Sequence, residues 1–238
     1  MGLHIYKNKE LLAEGLAGWI VGNMTHVLRA QKRYSFVLSG GNTPKQLYHI
    51  LSAKYKRAVD WNRVDFFWGD ERYVPFTDDR NNARMAYECL LTPLGIPSEN
   101  IFVMPTDPTP QEAALQYETT LKKYFGESAA RFDLVLLGMG ADGHTLSLFP
   151  GSDLIDYTGQ EWVKDTVNQK EHLPRITLMP SLVNASENVL FCISGAEKAA
   201  PAYQVLKGSY NPSVYPSQLI RPEAGAMWFM DLGAAEKL

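Results

Sequence analysis

The segment Phe132-Asp133-Leu134-Val135-Leu136-Leu137 is almost wholly apolar and stops abruptly at Gly138-Met139-Gly140-Ala141-Asp142-Gly143-His144. A strand without polar alternation has no wet face, so it must be buried on both sides. Strands of that kind belong to parallel sheets covered by helices. The same construction recurs. Tyr34-Ser35-Phe36-Val37-Leu38 runs into Ser39-Gly40-Gly41-Asn42, and Val64-Asp65-Phe66-Phe67-Trp68 runs into Gly69-Asp70-Glu71-Arg72. Val189-Leu190-Phe191-Cys192-Ile193 runs into Ser194-Gly195-Ala196-Glu197-Lys198. Between these runs lie stretches of helical spacing. Residues 8–30 carry Leu11, Leu12, Leu16, Trp19, Ile20 and Leu28, and further helices are expected near 43–51, 81–91, 110–125 and 196–206. Thr43 is placed as the N-cap of the second helix, with Pro44 at its first position. Shorter strands are expected at 101–104, 162–167, 175–178 and 226–230, and residues 69–72 read as a loop. The alternation predicts an α/β protein with a mostly parallel sheet, whose ligands sit in the loops beyond the strands' carboxyl ends.

At 238 residues the chain can bury a substantial core without staples. It shows no internal repeat or low-complexity linker, so residues 1–238 read as one domain with irregular excursions at 151–174 and 208–224. Lys+Arg 23 against Asp+Glu 26 gives a net charge of −3, which predicts no general attraction to nucleic acid or anionic membrane. A local anion pocket is still allowed. Cys89 and Cys192 lack a Cys-x-x-Cys partner and sit in apolar surroundings, so both read as reduced core residues. The N-terminal residues show no signal-peptide hydrophobic region and no stretch approaches about 18 uninterrupted apolar residues, so a cytoplasmic location is expected.

Three loops can carry chemistry. In 39–44 two glycines allow close backbone approach, and the following helix start, with Ser39 and Thr43 hydroxyls, suits a phosphate. A plain tight turn fits equally well, and the P-loop spacing is absent. Gly69-Asp70-Glu71-Arg72 offers a guanidinium whose fork matches phosphate oxygens, although an ion-paired surface turn is the simpler reading. Gly138 to Gly143 matches Gly-x-Gly-x-x-Gly literally, yet Pro150-Gly151 arrives too soon for the long helix a dinucleotide site requires. The stronger feature is His144 beside Asp142: a general base with a carboxylate to orient it. Lys198, early in a helix, opposes the helix dipole, a cost that an anionic ligand would offset. No histidine pair has metal-ligand spacing, so no metal is expected.

In this order the segments resemble the 6-phosphogluconolactonase family. The matching pieces are Leu38-Ser39-Gly40-Gly41-Asn42-Thr43-Pro44, Trp68-Gly69-Asp70-Glu71-Arg72-Tyr73-Val74-Pro75 and Asn81-Asn82-Ala83-Arg84-Met85. They continue with the run from Phe132 through His144 to Gly151, then Arg175-Ile176-Thr177-Leu178 and Ser194-Gly195-Ala196-Glu197-Lys198. Asn42, where Ser is commoner, and Leu146, where a small residue is usual, depart from the pattern. The resemblance implies a Rossmann-like three-layer α/β/α sandwich that hydrolyses a sugar-phosphate lactone without metal or organic cofactor. It implies His144 as base and Asp142 as its orienting carboxylate. Thr43, Arg72 and Lys198 would hold the phosphate, with backbone N–H groups from Gly40 and Gly41, and Ser39 and Asn42 of the same loop would also bind substrate. Arg175 would be a further cation for the substrate, Asp70 would also bind it, and Gly140 and Gly143 would give the substrate room. The related deaminases resemble Gly-His-Ile-Ala-Phe-Asn-Glu-Pro after the glycines, whereas this chain reads Gly143-His144-Thr145-Leu146-Ser147-Leu148-Phe149-Pro150, with Phe149 at the glutamate's place. A deaminase or isomerase, and a non-catalytic sugar-phosphate sensor, are the rival readings.

Overall fold

The apolar runs do become the centre of the molecule. The computed structural model describes residues 2–126 and 130–238. Its elements are β1 (Gly2–Tyr6), α1 (Lys9–Val27), β2 (Tyr34–Leu38), α2 (Asn42–Lys54), β3 (Val64–Trp68), β4 (Asp70–Arg72) and α3 (Asn82–Ala86). They continue with α4 (Thr92–Leu94), α5 (Pro110–Phe125), β5 (Leu134–Leu137), β6 (Val163–Asn168) and β7 (Leu173–Leu178). Last come α6 (Pro180–Asn184), β8 (Val189–Ile193), α7 (Ala199–Lys207) and β9 (Met227–Asp231).

Six strands form a wholly parallel sheet in the order β1-β9-β8-β5-β2-β3, flanked by helices. Every residue of β2, β3, β5 and β8 is buried, and each such large side chain contributes about 1.5–3 kcal/mol relative to exposure. Phe67 shows how the layers lock: its ring stacks on Phe102 and meets Tyr124 of α5 edge-on. Because the strands are parallel, the loops after β2, β3, β5 and β8 gather at one end of the sheet.

Several local expectations need correction. Thr43 does not cap α2. Gly41 is the N-cap, at φ 98°, and no side chain caps this helix. The glycine's left-handed backbone, which Thr would resist, makes the turn. Residues 70–72 are not a loop but β4, which pairs antiparallel with β7 and so joins a second sheet in the order β4-β7-β6. The 151–174 excursion is therefore partly ordered as the β6–β7 hairpin. Residues 101–104 form no strand; Ile101 makes a single bridge to Phe66. The helix expected over 81–91 changes to a wider π-type turn at Tyr87–Leu91. Cys89 and Cys192 are buried and unpaired.

The register of β4 against β7 puts Asp70, Arg72, Arg175 and Thr177 on one face, and Glu71 and Ile176 on the other. Glu71 is 1% exposed. Its carboxylate accepts the backbone N–H groups of Arg72 (2.7 Å), Asn82 (2.7 Å) and Ala83 (2.8 Å), tying β4 to the first turn of α3. Burial pushes the Glu71 carboxyl up to about 7, against the pull of the three N–H donors. Folded Glu71 therefore keeps a proton that the unfolded chain releases near pH ~4. The stabilisation is complete below that value and is lost as pH rises through about 7. Thermal unfolding of the parent should show a fall in Tm between about pH 4 and about pH 7 that Glu71→Gln lacks. A parent–variant difference that stays constant across this window contradicts the assignment.

Candidate active site

The loop after β5 is folded by its own backbone. The Gly143 N–H donates to the Gly140 carbonyl at 3.0 Å, and the Gly140 N–H donates to the His144 carbonyl at 2.8 Å. This closed turn brings Asp142 back onto His144. His144 Nδ1 lies 2.5 Å from Asp142 Oδ1, and the His144 N–H reaches the same oxygen at 3.2 Å. Only a protonated Nδ1 can donate to a carboxylate, so Nε2 is the free base position. The hydrogen bond from His144 holds the Asp142 carboxyl well below the usual carboxylate range, despite burial acting against it. Lys170 Nζ adds a contact to Asp142 Oδ2 at 3.3 Å. Gly140 has to be glycine here, since a Cβ would fall 2.1 Å from His144 Nδ1 and 2.5 Å from Asp142 Oδ1. Gly143 sits at φ 78°, and its carbonyl accepts from Ser217 N–H and Oγ at 3.0 and 2.8 Å.

His144 opens onto a cavity of about 230 Å³ that also has Arg72 and Lys198 in its walls. Ser39, Gly40, Gly41, Asp70 and Gly140 complete the expected residues that line it. Asp142 contacts His144 but faces a separate cavity of about 500 Å³ beside Phe149 and Lys170, so the dyad forms a partition. Asn42 lines an adjoining space of about 580 Å³ with Lys45, Arg80 and Arg84, reached past Gly41 and Arg72. Thr43, Gly143 and Arg175 are not in the lining of any of these three.

The remaining walls come from residues that sequence reasoning did not select. Asn82 donates through Nδ2 to the Asp70 carbonyl at 3.0 Å, and its Oδ1 occupies the place of a Gly40 Cβ, 2.0 Å away. Thr145 Oγ1 donates to the Gly138 carbonyl at 2.7 Å, bracing the floor. Leu146, held at φ 54°, packs its Cδ2 where a Cβ on Gly69 would lie at 2.8 Å. Gly40 and Gly69 were the available signals, since each marks a close approach by something distant. Ser147 Oγ donates to Asp70 Oδ2 at 2.7 Å, linking the histidine loop to β4. Arg72 is steadied by a bond from Nη1 to the Arg80 carbonyl at 2.7 Å. Lys198 ends a 3-10 turn at Ala196–Lys198 and serves as the N-cap position of α7.

The arrangement places an oriented imidazole and two cations around one small space, with polar backbone between them. That suits an anionic substrate with a hydrolysable centre. Among the described residues, no group of three or more His, Cys, Asp or Glu is placed to hold a metal ion. Gly140→Ala should separate His144 from Asp142. The imidazole Nδ1 proton, drawn downfield by the carboxylate in the parent NMR spectrum, should return toward the position of a solvated imidazole. An unchanged resonance would contradict the geometry.

A family model described as glucosamine-6-phosphate isomerases/6-phosphogluconolactonase matches residues 7–229. The 6-phosphogluconolactonase of Synechocystis sp. is 36% identical over 235 residues, covering 97% of this chain and 95% of its own. The chloroplastic 6-phosphogluconolactonase 3 of Arabidopsis thaliana is 33% identical, over 99% of this chain and 75% of its own. A cytoplasmic location is therefore not a property shared by all such relatives. Among the described residues, no helix is long and apolar enough to cross a membrane. The crystal structure of 6-phosphogluconolactonase from Thermotoga maritima superposes with a TM-score of 0.85 at 31% identity, covering 97% of this chain and 99% of that one. The chain belongs to the glucosamine-6-phosphate isomerase/6-phosphogluconolactonase family.

Proposed function

We propose that this protein is a lactone hydrolase that converts 6-phospho-D-glucono-1,5-lactone to 6-phospho-D-gluconate. The observation that carries the reading is that a carboxylate-oriented histidine shares its cavity with Arg72 and Lys198. The relatives' activity supports the choice of substrate. In this reading Arg72 and Lys198 hold the phosphate, with the backbone of Gly40 and Gly41 beside them and Thr43 one step behind in α2. The lactone carbonyl then lies toward His144.

The chemistry needs few parts. His144 Nε2 takes a proton from water as the water oxygen bonds to C1 of the lactone, and negative charge collects on the carbonyl oxygen. Asp142 stabilises the imidazolium that forms. The carbonyl re-forms as the bond from C1 to the ring oxygen breaks, and His144 returns the proton to that oxygen. The product acid loses its own proton to solvent. A lactone is already a reactive ester, so one base and firm positioning suffice. No step calls for a metal or an organic cofactor.

Phe149 separates this reading from an amino-sugar deaminase. Its ring centre lies 4.9 Å from that of His144. Where the deaminases resembled above carry a glutamate, an aromatic ring transfers no proton, so ring opening of an amino sugar lacks its acid. A sensor, in turn, has no use for an imidazole locked in one tautomer.

Two outcomes test the proposal. His144→Ala should lower catalysed hydrolysis by about 10²–10⁴-fold, while calorimetry finds 6-phosphogluconate bound with roughly parental affinity; a variant retaining half the activity removes His144 from the role. Measured side by side on one preparation, lactone hydrolysis should proceed and ammonia release from glucosamine 6-phosphate should not. Ammonia release equal to catalysed lactone opening would overturn the reading.

A further inference from the structure

Arg175 carries two penalties that the proposed reaction does not explain. It is 5% exposed, and its Nε has no hydrogen-bond partner, while Nη2 pairs with Glu171. A buried guanidinium N–H left unpaired is costly. Directly across the ladder from Arg175 stands Arg72, and like charges facing each other in an antiparallel pair repel.

The charges around them suggest what is gained. Asp70 shares the same face, two residues before Arg72 on β4. Left to themselves, this carboxylate and the Arg72 guanidinium are natural partners and would cancel each other. Among the described residues no ion pair joins them. Asp70 Oδ2 instead accepts from Ser147 Oγ at 2.7 Å, and Asp70 stands diagonally across the ladder from Arg175 on the same face. Arg72, directly opposite Arg175, is turned toward the Arg80 carbonyl. Glu171, in the β6–β7 turn, holds the far side of the Arg175 guanidinium. Arg175 itself does not line the 230 Å³ cavity, so it acts on a ligand only through its neighbours.

We propose that Arg175 is a positioning residue for phosphate binding: it occupies the charge of Asp70 and repels Arg72 across the ladder, leaving the Arg72 guanidinium un-neutralised at the cavity wall. The inference rests on the reading that a sugar phosphate binds there. It also separates the roles of two arginines: Arg72 meets the ligand, and Arg175 keeps Arg72 available.

Calorimetric binding of 6-phosphogluconate, with KM and kcat for the lactone, tests this in Arg175→Met, Arg175→Lys, Asp70→Asn and the double variant Asp70→Asn/Arg175→Met. Arg175→Met should weaken binding and raise KM about tenfold, with kcat changed by no more than about twofold. Arg175→Lys keeps the charge and should recover most of the loss. The decisive comparison is the double variant, which should bind more tightly than Arg175→Met, because the carboxylate that captures Arg72 is gone. Unaltered binding in Arg175→Met, or a double variant weaker than Arg175→Met, overturns the proposal. A residue with a merely structural role would lower kcat as well and would show no such rescue. Should Met at this position prevent folding, Arg175→Gln carries the same comparison. Failure of the functional reading looks different, because the unaltered chain would then neither bind 6-phosphogluconate nor open the lactone.

Discussion

The hydrogen bond between His144 Nδ1 and Asp142 Oδ1, 2.5 Å long, organises the loop after β5. It fixes the tautomer, because a carboxylate accepts and never donates in its ionised form. It also dictates the loop around it. Two residues apart, these side chains meet only if the backbone doubles back, which the turn between Gly140 and His144 accomplishes. The absence of a side chain at Gly140 leaves room for the contact, and Gly143 supplies the left-handed backbone. Leu146 then takes up a left-handed conformation of its own, a cost of about 1–2 kcal/mol for such a residue. The packing of Leu146 against Gly69 and the bond from Ser147 to Asp70 hold it there.

The other end of the site depends on a different constraint, the management of charge on β4. Three consecutive residues, Asp70, Glu71 and Arg72, are sorted by the pleat of a strand. Glu71 goes inward to bind backbone N–H groups of α3, while Asp70 and Arg72 face the cavity. A flexible loop would allow these three charges to pair with one another. The pleat sends Glu71 to the face opposite Asp70 and Arg72, and Ser147 and the Arg80 carbonyl engage those two separately. The small second sheet thus serves both the core and the site: Val163, Ile176 and Leu178 join the core, while Asp70 and Arg72 on one strand and Arg175 on the next share the opposite face from Glu71 and Ile176.

The parallel sheet was the most legible part of the sequence. β2, β3 and β8 occur with the bounds their apolar runs predict, since burial on both faces leaves no other pattern to read. α5 was equally plain and occupies the expected span 110–125; in the structure Thr109 and Glu112 form a reciprocal capping box at its start. β1 escaped notice because Gly2-Leu3-His4-Ile5-Tyr6 has only alternate burial and owes its order to β9, more than two hundred residues away. β4 escaped because three charged residues have low strand propensity, and only the β7 ladder makes them a strand. The same distinction governs the site. His144 and Asp142 are neighbours in sequence, so their contact was readable. Asn82 against Gly40, and Leu146 against Gly69, are contacts between distant segments that no spacing rule could announce.

The central claim is that one ligand spans the cavity, with its phosphate at Arg72 and Lys198 and its carbonyl carbon at His144. A crystal structure of the complex with 6-phosphogluconate measures this directly. The account predicts phosphate oxygens within about 3 Å of both cations, and the C1 carboxylate facing His144 Nε2 at about 3 Å or through one water. A ligand whose phosphate lies among Lys45, Arg80 and Arg84, with C1 away from His144, would contradict it.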